Sequence, residues 1–246
     1  MDSWTFTSMA EPYFQFRQFR VYHHRDTLKV GTDGVLLGAW AEVNDHERVL
    51  DIGTGTGLIA LMLAQRAHAR IDAIDISSDA VSLAAENFAR APFSDIKAHC
   101  SDVDEWLARE RCVYDLIVCN PPFFTHAQPP KDDALHLAKH TVELDPAKLF
   151  REVARLLKPT GRFSLIFPTL GQEEFFREAE RNGLSVVRQT VVHPLPDRPA
   201  KRLLLTFVPK QVGQPTHDAL VLENDVGKRD YTDDYKRLMG AYFLRF

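Results

Sequence analysis

From about residue 47 to residue 208, short apolar runs alternate with stretches in which apolar positions recur every three or four residues. "RVLDIG", "RIDAIDI", "DIKAHCSD", "YDLIVCN" and "GRFSLIFP" have the length and apolar character of buried strands. "GLIALMLAQRA", "SDAVSLAAENFAR", "VDEWLARE", "DPAKLFREVARLLKP" and "QEEFFREAERNG" carry a helical period. Ser77 or Ser78 caps the second of these helices, Pro159 stops the fourth and Gly183 ends the fifth. Such alternation predicts an α/β fold, a mostly parallel sheet with helices on both faces. "LSVVRQTVVHP" and "KRLLLTFVP" are strands joined by a short Pro-rich loop without a helix, so this last strand pair is expected to be antiparallel. No internal repeat or low-complexity tract interrupts the pattern. Residues 1–246 read as a single domain, with a core at 32–208 and extensions at 1–31 and 209–246.

Composition narrows the class. A chain of 246 residues, 45% hydrophobic and 26% charged, suits one good-sized core in an ordinary soluble protein. No apolar run approaches the roughly 18 residues needed to span a bilayer, and "MDSWTFTSMAEPYF" lacks the basic-then-apolar order of a signal peptide. Cys100, Cys112 and Cys119 lack zinc-like spacing and read as reduced, structural thiols of a cytoplasmic protein with no metal site. The net charge of −4 argues against a strong, indiscriminate grip on nucleic acid. Its distribution is uneven, however: Arg17, Arg20, Arg25 and Lys29 outweigh Asp26 near the start, and the end is mildly basic, leaving room for a local basic footprint.

The chemistry concentrates at strand ends. In "VLDIGTGTGLIALMLA", Gly53, Gly55 and Gly57 allow a tight turn and close approach to a ligand, and the following helix start adds free N–H groups. The spacing is G-x-G-x-G, unlike the dinucleotide fingerprint. Asp51, two residues ahead of the first glycine, repels a pyrophosphate and suits a cationic amino group. Asp75, at the end of the next strand, is placed to accept both hydroxyl protons of a ribose. Asp102, at the end of the third, is placed to accept an adenine amino group. A ribose, an adenine and a zwitterionic amino-acid tail together describe S-adenosylmethionine. The alternative is a purely structural turn.

"DIGTGTG", "DAIDI", "SDV" and "NPPF" resemble the class I methyltransferases. That resemblance implies a Rossmann-like, seven-stranded sheet with strand seven antiparallel between five and six. It also implies that Ile76 and Val103, next to Asp75 and Asp102, join the cofactor site, together with Asn120.

"NPPFF" follows the fourth strand. An aromatic amino group is a poor nucleophile because its lone pair is delocalised. Hydrogen bonds from its two N–H groups to the Asn120 side-chain oxygen and the Pro121 carbonyl favour a pyramidal nitrogen. Pro121 and Pro122 stiffen the turn that holds these acceptors, and Phe123 offers a face on which an extruded base stacks. The competing reading is a strand-ending turn with core phenylalanines. N-P-P-aromatic is shared by methyltransferases acting on adenine, on guanine and on a glutamine amide.

"TLKVGTDGVLLGAW", "FRQFRVYHHRD", "AKHTVELD" and "YTDDYKRLMGAYFLRF" resemble the bacterial tRNA1(Val) adenine-37 N(6)-methyltransferase family over nearly the whole chain. The resemblance implies that Lys29, Gly31, Thr32 and Asp33 pack over the methionine end of the cofactor, that Phe123 replaces a frequent Tyr, and that tRNA is the partner. A monomer is expected. Rival functions are a release-factor glutamine-amide methyltransferase, a guanine-N(2) rRNA methyltransferase and a non-catalytic adenosine- or RNA-binding module. For RNA contact, some of the arginines at 17–25 are favoured over Phe14 and Phe16, whose period of two suits a strand with a buried face. The long 124–145 loop reads as a lid or substrate loop. Tyr235, Leu238, Met239 and Tyr242 form a docking face on a last helix at about 232–243, capped by Thr232.

Overall fold

A computed structural model describes residues 12–23, 30–109, 113–121, 145–209, 213–225 and 230–246. Ten strands and seven helices are defined among them: β1 (Tyr13–Gln15), β2 (Arg20–Tyr22), α1 (Thr32–Trp40), β3 (Arg48–Ile52), α2 (Leu58–Ala64), β4 (Arg70–Asp75), α3 (Ser78–Arg90), β5 (Ile96–Cys100), α4 (Val103–Arg109), β6 (Tyr114–Cys119), α5 (Pro146–Leu156), β7 (Leu157–Pro168), α6 (Gln172–Arg181), β8 (Ser185–His193), β9 (Arg202–Val208), β10 (Thr216–Val221) and α7 (Asp233–Met239). The main sheet has the order β10-β8-β9-β7-β6-β3-β4-β5. β9 runs antiparallel to both β7 and β8, and the other neighbours are parallel. The helix-free connection between β8 and β9 therefore produces the antiparallel pair expected of it.

Alternate strand residues feed two cores. Val49, Leu116 and Val118 face a core shared with α1, α2, α3 and α7. Leu50, Ile117 and Cys119 face one shared with α4, α5 and α6. α1 is buried from Gly34 to Trp40, as expected of a helix that is apolar all round. A side chain at Gly38 would meet the Met62 sulfur at 2.7 Å, so glycine there sets the close approach of α1 to α2.

Two expectations are corrected. The main sheet has eight strands, not seven: β10, from the C-terminal extension, pairs in parallel with β8. Only Leu220 of its first five residues is buried, so "THDALV" carries no apolar alternation to announce an edge strand. Pro159 does not stop α5 from within. The helix ends at Leu156, Leu157 is already extended (φ −75°, ψ 140°), and Pro159 lies in β7. A residue preceding proline is driven out of the helical region, so Lys158 cannot continue the helix. Proline is tolerated in β7 because the register with β6 jumps from Tyr114–Leu157 to Leu116–Arg162.

The two extensions meet on the sheet. The β1–β2 hairpin buries Phe16, Phe19 and Val21, and the Arg17 N–H donates to the Tyr242 carbonyl. The buried Asn87 of α3 accepts from Tyr22 N–H at 2.9 Å and donates to the carbonyls of Tyr22 and Thr56. This one amide ties the hairpin to the glycine loop. Thr232 caps α7, which buries Tyr235 and Met239, and the buried Tyr242 hydroxyl beyond the helix donates to the Met62 carbonyl, so the face read as a docking surface does dock. Among the described residues no helix is long and apolar enough to cross a membrane.

Candidate functional site

The carboxyl ends of β6, β3 and β4 bring Asn120, the glycine loop and Asp75 to one sheet edge, where ligands bind in open α/β sheets. Gly53, Gly55 and Gly57 all have positive φ, at 71°, 55° and 80°. The loop is sewn to the next strand: Gly53 N–H and Thr54 N–H both donate to the Ile74 carbonyl, and Gly55 N–H donates to Asp75 Oδ2 at 2.9 Å. The other Asp75 oxygen accepts from Ser77 N–H, and Ser77 caps α3. An ionised carboxylate offers about four lone-pair sites, so each Asp75 oxygen retains capacity for a further donor.

The glycines do different work. A Cβ on Gly57 would lie 2.4 Å from a Phe88 ring carbon, whereas one on Gly53 or Gly55 would meet nothing within 4 Å. Gly57→Ala is therefore expected to unfold the turn. It should lower stability by about 2 kcal/mol or more and cofactor affinity with it. Gly53→Ala suffers only the left-handed strain of about 1–2 kcal/mol, and its methyl enters the open space in front of the loop. Thermal melts and calorimetric titration with S-adenosylhomocysteine separate the two: loss of fold for the first, loss of binding beyond loss of fold for the second.

Asp51 is fully buried behind Thr54. Its Oδ2 accepts from the Thr54 hydroxyl at 2.7 Å, while Oδ1 has no hydrogen bond among the described residues. Burial pushes its carboxyl up to about 7, with the nearby Asp75 adding to the rise and hydrogen bonds from the Thr54 hydroxyl and the Ala60 backbone opposing it. Burial likewise holds the Cys119 thiol well above its usual range, with Asp51 adding to the effect, so Cys119 is no thiolate nucleophile.

A cleft of about 400 Å³ opens at this edge, lined by Gly31, Thr32, Asp33, Gly53, Gly55 and Asn120 from the expected set. It is also lined by Gly34, Thr54, Thr56, Leu58, Ile59 and Arg202, none of which is among the expected site residues. Gly34 and Leu58 follow from motif neighbourhood. Arg202 is reached only through the topology: an antiparallel strand delivers its first residue to the edge where its neighbours end. The Arg202 Nε donates to Asp33 Oδ2 at 2.8 Å and so links the start of β9 to the start of α1.

The remaining expected residues lie outside the lining of this cleft, Asp51 beneath Thr54 and Asp75 beside Gly55 among them. Gly57 packs against Phe88 behind the loop. Ile76 follows Asp75 and is 49% exposed, an apolar surface beside a carboxylate. Asp102 accepts from Glu105 N–H at 2.7 Å at the start of α4 and faces Lys148 at 3.6 Å, so it has local partners of its own. Val103 is buried in the core beneath α4. Pro121 is buried next to Asn120. Lys29, Pro122, Phe123 and nearly all of the 124–145 loop lie outside the described residues, as do Arg25 and Cys112.

The set fits S-adenosylmethionine. Asp51 supplies an orphaned buried acceptor, Gly53 and Gly55 leave a backbone-lined space, and Asp75 and Ile76 offer a carboxylate beside an apolar face. No group of three or more metal-ligating side chains occurs among the described residues.

A family model described as a methyltransferase domain matches residues 43–194. The chain resembles the predicted O-methyltransferase Atu636 from Agrobacterium tumefaciens, whose crystal structure superposes with a TM-score of 0.66 at 19% identity, covering 85% of this chain and 96% of that one; the likeness is one of fold. It is 43% identical to a tRNA1(Val) (adenine(37)-N6)-methyltransferase from Parabacteroides distasonis, over 96% of this chain and 100% of the relative. It is 44% identical to the protein so named from Phocaeicola vulgatus, over 96% and 99%. Spanning both sequences almost end to end at such identity, the chain belongs to the family of tRNA1(Val) (adenine(37)-N6)-methyltransferases.

Proposed function

We propose that this protein methylates the exocyclic amino group of adenine 37 in tRNA1(Val), using S-adenosylmethionine. The observation that carries the reading is Asn120, which lines the same cleft as Gly53 and Gly55. An amide acceptor at the end of β6 thus sits beside a loop built for close approach of a ligand.

The cofactor supplies a methyl group activated by a sulfonium. Asp51 and the motif Lys29, Gly31, Thr32 and Asp33 hold its amino-acid end, the Gly53–Gly57 backbone its centre, and Asp75, Ile76, Asp102 and Val103 its adenosine. Asn120 and Pro121 accept the two amino hydrogens of the target base and orient its nitrogen lone pair toward the cofactor. Pro122 stiffens the turn, and Phe123 stacks on the extruded base, worth about 1–3 kcal/mol. Proton loss from a nitrogen that has become cationic is easy, so no strong general base is needed. The protein works as a cytoplasmic monomer on tRNA, with residues 1–246 acting as one domain.

Transfer of labelled methyl to purified tRNA, rRNA and protein fractions, followed by nucleoside analysis, tests this. N6-methyladenosine at position 37 of tRNA1(Val) is expected. Label in a protein glutamine or in guanosine would replace the reading with one of its rivals.

The exposed face of the β1–β2 hairpin is the second point of tRNA contact. Arg17 and Arg20 are exposed, and the Arg20 guanidinium lies 4.8 Å over the Tyr13 ring. The double substitution Arg17→Ala, Arg20→Ala is expected to weaken tRNA binding and flatten its salt dependence by about 0.7–0.9 for each phosphate no longer neutralised. A salt slope equal to that of the wild type would remove the hairpin from the RNA surface.

A further inference from the structure

The cofactor and target nitrogen leave one charged group in the cleft without a task. We propose that Arg202 is a substrate-binding residue, a cation that grips a tRNA phosphodiester beside the target nucleotide; this rests on the reading of the site as a tRNA methyltransferase. Arg202 is the only Lys or Arg lining the cleft among the described residues. Its place along the edge assigns it to the substrate half. Asp75 ends β4, the glycine loop follows β3, Asn120 follows β6, and Arg202 opens β9, beyond β7. Asn120 thus separates Arg202 from the loop and from Asp75. Two strand spacings, about 10 Å, lie between β6 and β9, and β9 brings Arg202 level with Pro168 at the end of β7.

The head group is prepared for a second anion. Nε is committed to Asp33 and Nη1 donates to the Lys201 carbonyl at 3.0 Å. A guanidinium has five N–H donors, so three remain without a partner among the described residues, and its planar fork matches phosphate oxygens in pairs. The side chain is 34% exposed, enough for a phosphate at the cleft mouth to reach it without displacing Asp33. Asp33 and Lys201 hold the guanidinium in place before the RNA arrives, which lowers the entropy lost on binding.

The test compares wild type, Arg202→Gln and Arg202→Lys in filter binding of tRNA across a salt series and in calorimetric titration with S-adenosylhomocysteine. Arg202→Gln is expected to weaken tRNA binding about tenfold and lower the log–log salt slope by about one, with a loss of S-adenosylhomocysteine affinity of at most about threefold, because Asp33 loses its ion-pair partner. Arg202→Lys keeps the charge, and so keeps the slope while losing part of the affinity; it also controls for loss of fold. An unchanged slope in Arg202→Gln would overturn the proposal. So would a tenfold loss of S-adenosylhomocysteine affinity, which would move Arg202 to the carboxylate of the cofactor tail. If the wild type binds tRNA and methylates it but Arg202→Gln matches it, the proposal alone fails. If the wild type transfers no methyl to tRNA, the functional reading fails first.

Discussion

Asn120→Ala is expected to slow methyl transfer about a hundred- to a thousandfold while leaving S-adenosylhomocysteine affinity within about threefold of wild type. The expectation follows from what the amide does in the cleft. Preorganised hydrogen-bond partners aimed at the changing charge of a reacting group contribute about 3–4 kcal/mol each in sites of this kind. In the proposed reading the acceptor acts on the target nitrogen, whereas the loop, Asp75 and Asp51 hold the cofactor. Removing the amide therefore costs the chemical step and spares cofactor binding. Asn120 follows a strand, β6, whose last four residues are buried, so the shortened side chain leaves the sheet intact. Single-turnover rates with saturating tRNA, paired with calorimetric titration, separate the two quantities. Near wild-type turnover would remove the amino-group mechanism; equal losses in rate and in cofactor affinity would make Asn120 a cofactor ligand instead.

Asp51→Asn is expected to stabilise the free protein and weaken its cofactor binding at the same time. Asp51 is fully buried, and its carboxyl is pushed from the ordinary 3.8 up to about 7. A carboxyl whose pKa is raised by folding binds more protons folded than unfolded. Its contribution is thus complete below the unfolded value and lost as pH rises through the folded one. The native state of the wild type accordingly carries a growing penalty between pH 4 and pH 7, at most about 4 kcal/mol above that range. The neutral amide removes it. The gain in melting temperature should be absent near pH 4, grow to pH 7 and level off, at about 2–4 °C per kcal/mol. The orphaned Oδ1 faces the opposite test. Without an anion for the cofactor's ammonium, S-adenosylhomocysteine should bind about ten- to a hundredfold more weakly at pH 8. The wild type itself should bind more weakly below pH 7 as Asp51 protonates. A variant that melts lower at pH 8, or binds as tightly as wild type, would refute this account of the residue.

Much of this is legible in the order of residues because the features involved are local. Alternating strands and helices, the Ser77 cap and the helix-free step from His193 to Arg202 all follow from patterns within about a dozen positions. The glycine loop is readable for the same reason, and its three positive φ angles agree with the residue type. The misreadings are equally physical. β10 buries little, because an edge strand needs only one apolar anchor, here Leu220. Pro159 resembles a helix stop, but its influence falls on the residues before it, and a register jump against β6 lets it stay in a strand. Asp102 is not among these misreadings: its strand-end position is as read, and the cap and the ion pair with Lys148 that it gains at the start of α4 are what the sequence does not announce. Arg202 escapes a reading of the sequence because its meaning is topological. Nothing in "KRLLLTFVP" says chemistry until β9 is seen to run against its neighbours.

The reversed strand has one more consequence. Because β8 and β9 run in opposite directions, the connection between them, residues 194–201, emerges at the same rim as Asn120 but on the far side from the glycine loop. Its length and charge can drift, by insertion or replacement, without reshaping the turn that grips the methyl donor. One rim of the sheet then carries the glycine loop and the other the 194–201 connection, so a change of length or charge in the second leaves the first mechanically undisturbed.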